Sequence, residues 1–113
     1  MQLPGNFLKE LNLRGNRLGI NNDCDAARAL ASALEHPSCQ LNYLDLGFNS
    51  FSGRALEIVG RPAIFKLSEL RLFNNHWDEA ARRNFKVWIS ESQTKVDFGF
   101  QSSDHNVMNI FEI

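Results

Sequence analysis

The chain has no excess of either charge, no long apolar run and almost no cysteine, and each absence removes a class of function. Its 113 residues carry a formal charge of -1, so no field of one sign advertises a nucleic acid or a membrane surface. Arg82 and Arg83 are the only adjacent basic pair, which argues against a nucleic-acid interface. No apolar stretch approaches the roughly 20 residues that a membrane-spanning helix needs. Met1–Asn6 has neither a basic region nor an apolar segment, so it does not read as a signal peptide. A cytoplasmic setting is expected, with a secreted effector lacking a recognisable signal as the alternative.

Cysteine and histidine are equally sparse. Cys24 and Cys39 are the two cysteines, there is no CxxC, and His36, His76 and His105 stand far apart. No metal site and no cofactor are therefore expected, and the two thiols are expected to be reduced. Length allows one domain with a real core. Apolar residues at 43% and charged residues at 22% are ordinary for a globular protein.

What the sequence does contain is a repeat. The pattern L-x-x-L-x-L-x-x-N-x-φ, with φ a large apolar residue, fits Leu8, Leu11, Leu13, Asn16 and Leu18. It returns at Leu41, Leu44, Leu46, Asn49 and Phe51, and again at Leu67, Leu70, Leu72, Asn75 and Trp77. The offsets are 33 and 26 residues. For a fixed alignment such a match arises by chance with a probability on the order of 10⁻⁷. A further step of 26 keeps Val96 and Phe98 but loses the first leucine, the asparagine and the last apolar residue, as a terminal repeat does. The domain thus divides into repeats near 8–40, 41–66 and 67–92, a degenerate repeat at 93–101 and a tail at 102–113.

In each copy x-L-x-L-x alternates apolar and polar residues, the signature of a strand with one buried face. Asn16, Asn49 and Asn75 follow the strands, where an amide can satisfy backbone groups that a buried turn leaves unpaired. The return limbs have helical spacing. Ala26, Ala27, Leu30, Ala31 and Leu34 form one apolar face, with Asp23 or Asp25 as N-cap and Pro37 as the stop. Ser52 is the expected cap of a second helix stopped by Gly60 and Pro62, and Asp78 that of a third presenting Ala81, Phe85, Trp88 and Ile89. The seven extra residues of the first repeat fall around Gly19–Asp25.

These motifs, with the stretch Leu34-Glu35-His36-Pro37-Ser38-Cys39-Gln40-Leu41 ahead of Tyr43-Leu44-Asp45-Leu46, resemble the leucine-rich-repeat family, and its ribonuclease-inhibitor-like branch in particular. The resemblance covers about residues 8–101. It implies an α/β fold: a right-handed solenoid with a parallel concave sheet of about four strands, helices on the convex side, and Asn16, Asn49 and Asn75 as a structural ladder. The first strand's edge lacks a cover in residues 1–7, which predicts either self-association or a fragment of a longer array. Val107, Met108, Ile110, Phe111 and Ile113 give the tail apolar weight to close the other end.

A repeat of this kind presents a surface rather than a reaction centre, so the expected function is binding a protein partner through the concave face. The outward strand positions form columns. Glu10, Tyr43, Glu69 and Lys95 make one; Asn12, Asp45, Arg71 and Asp97 the next; Arg14, Gly47, Phe73 and Gly99 the third. Aromatics and arginine dominate interface hot spots, so Tyr43, Asp45, Arg71 and Phe73 are the expected centre of a partner-binding patch. Glu69, Lys95 and Asp97 extend it. Phe48 and Phe100, two positions beyond their strands, either join the patch or tuck into the turn. The alternatives are an assembly segment or a piece of a larger repeat receptor or effector. An enzyme is disfavoured: Cys39 near His36 lacks a third group, and Asp23 and Asp25 read as cap residues.

Overall fold

The computed structural model describes residues 8–98. Four strands, β1 (Glu10–Asn12), β2 (Tyr43–Asp45), β3 (Glu69–Arg71) and β4 (Lys95–Asp97), alternate with three helices, α1 (Asp25–Glu35), α2 (Gly53–Ile64) and α3 (Glu79–Ser90). The strands form one parallel sheet in chain order, in a register that places Leu11, Leu44, Leu70 and Val96 side by side. Parallel pairing continues past each strand, through Leu13 N–H to Asp45 O, Leu46 N–H to Arg71 O and Leu72 N–H to Asp97 O, each at 2.8–2.9 Å. The expected α/β class and the four strands are therefore present. Residues 99–101 of the degenerate repeat, the 102–113 tail and Met1–Phe7 lie outside the described residues.

One apolar layer fills the space between sheet and helices. Leu44, Leu46, Leu70 and Leu72 from the strands meet Ala55, Leu56, Val59, Ala63, Ile64 and Phe85 from the helices, all fully buried. Full burial of a leucine-sized side chain stabilises by about 1.5–3 kcal/mol, so the repeated leucines carry the fold. Helix α2 packs against α1 on one side and α3 on the other, so it buries more of its residues than either neighbour.

Two residues that depart from the leucine pattern fit through their neighbours. Phe51 is fully buried, and its ring takes the space a side chain at Gly19 would need, 2.6 Å from that missing Cβ. Trp77 packs edge-on against Phe85 and Phe98, with centroids 4.8 and 5.0 Å apart, and its indole N–H reaches Leu72 O at 3.4 Å.

Helix boundaries follow the sequence in part. Ser52 and Asp78 cap α2 and α3 through their side chains, accepting from Ala55 N–H and Ala81 N–H. Helix α1 stops at Glu35, with His36 extended ahead of Pro37, as the proline ring requires. Two expectations fail. Neither Asp23 nor Asp25 is the N-cap of α1; Cys24 is, without a side-chain capping bond, while Asp23 accepts from Asp25 N–H and Asp25 is already helical. Gly60 and Pro62 do not stop α2, which runs through both to Ile64. Continuation keeps Ala63 and Ile64 buried, which offsets the roughly 3 kcal/mol that an interior proline costs. Gly60 is there for a different reason: a Cβ would stand 2.1 Å from Phe85 Cζ.

The extra residues of the first repeat form a 3-10 turn at Ile20–Asn22, with Asn21 and Asn22 left-handed. Asparagine tolerates that conformation better than most residues.

Candidate functional site

At the turn after each strand the asparagines knit the repeats together. Asn49 Oδ1 accepts from Asn16 N–H at 2.9 Å and Leu18 N–H at 3.3 Å, and Asn75 Oδ1 accepts from Asn49 N–H at 3.2 Å and Phe51 N–H at 3.0 Å. Each Nδ2 turns back on its own repeat and on the one before: Asn49 donates to Leu46 O and Leu13 O, Asn75 to Leu72 O and Leu46 O, all at 3.0–3.1 Å. Asn49 is fully buried, Asn75 half-buried and Asn16 exposed. This framework fixes the direction in which the strand side chains project.

The sheet face away from the helices carries the polar strand residues. Tyr43 pairs with Glu69, and Glu69 with Lys95; Asp45 pairs with Arg71, and Arg71 with Asp97. Arg71 is the hub. Its Nε donates to Glu69 Oε2 at 2.9 Å, stands 3.9 Å from Asp97 Oδ2, and its guanidinium lies 5.7 Å from the Tyr43 ring centroid. The Glu69 hydrogen bond, first, and then the neighbouring Tyr43 hold the Arg71 pKa above its ordinary value. Burial raises the Tyr43 phenol, Arg71 opposes the shift, and Asp45 and Glu69 add to it. Both groups thus keep their usual charge at neutral pH.

Asp45 and Phe73 sit differently from their place in the expected patch. Asp45 is beside Arg71 in register yet makes no ion pair with it. Its Oδ1 accepts from Gly47 N–H at 3.0 Å and the residue is only 2% exposed. Asn12 makes the same turn with Arg14 N–H in the preceding repeat, so this position closes the strand end. Phe73 is 8% exposed. Its ring lies across Gly47, where a Cβ would be 2.8 Å away. Phe48 meets it edge-on at 5.3 Å between centroids. Arg14 covers it, with Cζ 4.5 Å from the ring centre. The exposed member of this cluster is Phe48, at 46%, and Phe100 lies outside the described residues. Arg14 is the residue that sequence reasoning left out of the patch. The signal was its column, in which Gly47 alone separates Arg14 from Phe73.

Elsewhere among the described residues the surface offers little chemistry. His36 Nδ1 accepts from Ser38 N–H at 3.1 Å, which commits it to the turn before Cys39. Cys24 and Cys39 are free thiols. Among the described residues no group of His, Cys, Asp or Glu could hold a metal ion, and no helix is long and apolar enough to cross a membrane. An apolar cleft of about 290 Å³ opens beside β1, lined by Leu8, Leu11, Leu30, Leu34, Leu41 and Leu44 among others.

Parallel strands alternating with helices, joined by an asparagine ladder, define a β/α repeat protein. The Leucine Rich Repeat family model matches residues 7–26, a span that holds β1, the 3-10 turn and the first two residues of α1, and this match supports the presence of a leucine-rich repeat there. Such repeats are in general non-enzymatic protein-interaction modules. No curated protein and no solved structure matches the chain.

Proposed function

We propose that the chain is a protein-interaction module that binds a protein partner through the outer face of its parallel sheet. That face is the concave side of a short right-handed solenoid, with the helices on the convex side. Alpha-helices of 11 and 12 residues on every return limb favour the ribonuclease-inhibitor-like branch. The observation that carries the reading is the juxtaposition of Tyr43 over Arg71 with exposed Phe48 on Phe73, on a face that no described helix covers. Aromatics give contact area at little entropic cost, and the Arg71–Glu69–Asp97 cluster gives orientation. Lys95 is exposed at the β4 edge of the same face. The free thiols of Cys24 and Cys39 favour a reducing, cytoplasmic setting.

Affinity purification with the intact chain tests the surface. A partner retained by wild type and by a Phe65→Ala control on the helical side is expected to be lost, by tenfold or more, from a Tyr43→Ala, Phe48→Asn double variant. Phe48 replaces Phe73 in this test because truncating the buried Phe73 disturbs the fold as well. Retention by the double variant would move the site to the helices or to the Gly19–Asp25 loop.

A second reading, assembly through the β1 end, is favoured by the apolar cleft there and by exposed Asn16 at the end of the ladder. Sedimentation over a range of concentrations is then expected to show dimer, and a Leu8→Lys variant, changed at an exposed residue of the cleft, to remain monomeric. Monomer at every concentration would eliminate self-assembly through this end.

A further inference from the structure

Resting on the reading of the sheet face as a protein-binding surface, we infer that Arg14, mounted on Phe48 and Phe73, is a carboxylate-recognition site for an acidic partner segment with an apolar residue beside the acid. Three features lead there.

The first is the state of the Arg14 side chain. Its guanidinium lies 5.2 Å from the Phe48 ring centre and 4.5 Å from that of Phe73. Among the described residues it has no ion pair and no side-chain hydrogen bond. The other arginine of the face, Arg71, is spent on Glu69 and Asp97. The acid at the end of the neighbouring strand, Asp45, is buried and accepts from Gly47 N–H. Arg14 therefore holds a planar fork of N–H donors against two rings, with nothing in the described chain to accept from it. A carboxylate matches that fork bidentately. Arg17, three residues on and also without an ion pair among the described residues, adds positive charge to the same turn.

The second is the backbone at Phe48. The equivalent positions of the three turns are Gly15, Phe48 and Asn74, and all three are left-handed, with φ of 74°, 58° and 56°. Glycine and asparagine adopt this conformation readily, whereas a bulky side chain is a genuine outlier there. Phe48 nonetheless occupies it and remains 46% exposed. Strain of this kind clusters where a side chain is held for a ligand. The ring gives the apolar neighbour of the carboxylate a surface to pack on.

The third is the way three repeats are used to build the pair. Arg14 comes from the first, Gly47 and Phe48 from the second, and Phe73 from the third. Gly47 lets the far end of the Phe73 ring reach across the second turn, since any Cβ would strike it. The cluster is thus a preorganised surface that no single turn could form.

Selection of a random peptide library displayed on phage against the intact chain tests the assignment. Enriched peptides are expected to share an Asp or Glu adjacent to a large apolar residue. Arg14→Gln is expected to weaken them about 10- to 100-fold, the factor that corresponds to one charged hydrogen-bonded pair. Arg14→Lys, which keeps the charge and loses the fork, should recover only part of that. Phe48→Asn should weaken binding while leaving Tm within about 5 °C, because relief of the left-handed strain offsets the lost ring contact. Enriched peptides without an acidic preference, or indifferent to Arg14→Gln, overturn the carboxylate site. If those same peptides still respond to Tyr43→Ala, the sheet face stands as a binding surface. Peptides indifferent to Tyr43, Phe48 and Arg14 overturn both, and a library yielding no binder overturns the acidic-segment assignment.

Discussion

Asn49→Ala is expected to lower stability by about 3 kcal/mol, a fall in Tm of about 10–20 °C. The reason lies in which groups lose their partner. Leu13 O, Leu46 O and Gly47 O each keep another donor, from Asn16 Nδ2, Asn75 Nδ2 and Gly15 N–H respectively. The N–H groups of Asn16 and Leu18 have only Asn49 Oδ1, and each unsatisfied donor costs about 1–3 kcal/mol. Asn16→Ala removes an exposed amide at the end of the ladder and should cost less than about 1 kcal/mol. Thermal unfolding of the two variants side by side checks this. Equal effects would mean that the amides act as turn formers only.

Phe85→Ala should be the most damaging single truncation, at about 3–5 kcal/mol. Phe85 is fully buried, lies among Trp77, Trp88 and Phe98, and fills the space over Gly60. The same geometry predicts a change of sign. In the wild type, Gly60→Ala forces a Cβ against the ring and destabilises by about 1–3 kcal/mol. In the Phe85→Ala background the obstacle is gone, and the helix-favouring alanine should stabilise by up to about 1 kcal/mol. Urea titration of the four proteins gives the coupling directly. Additive effects would show that Phe85 and Gly60 do not share this contact.

The scaffold was legible because its periodicity is enforced by burial. Leu11, Leu44 and Leu70 must all point one way for the sheet to have a core, and Asn49 must bond across repeats because it is sealed from water. Ser52 and Asp78 were readable as caps because a side-chain oxygen three residues ahead of an N–H is a local arrangement. What depended on tertiary neighbours was not readable. Gly60 and Pro62 look like a stop in isolation, but the burial of Ala63 and Ile64 carries α2 through them. Cys24 takes the cap position of α1 because Asp23 is engaged by Asp25 N–H.

The outer face of the sheet shows the same division. The columns that placed Tyr43, Glu69, Arg71, Asp97 and Lys95 on one face follow from strand alternation, and the register agrees. Phe73 stands at an outward position, yet it is covered, because Gly47 leaves a bed for its ring and Arg14 closes over it. Asp45 likewise stands outward but turns back onto Gly47 N–H. Phe48, which strand alternation alone left undecided, becomes the exposed ring because its left-handed backbone swings it out beside Phe73.

The most direct test of the sheet face as the binding surface is amide chemical-shift mapping of the labelled chain during titration with the partner recovered by affinity purification. The largest changes are expected at Glu10–Arg14, Tyr43–Phe48 and Glu69–Phe73. Changes concentrated instead on the outer residues of the helices, such as Arg28, Ser32, Arg61 and Phe65, with the strands silent, would contradict it.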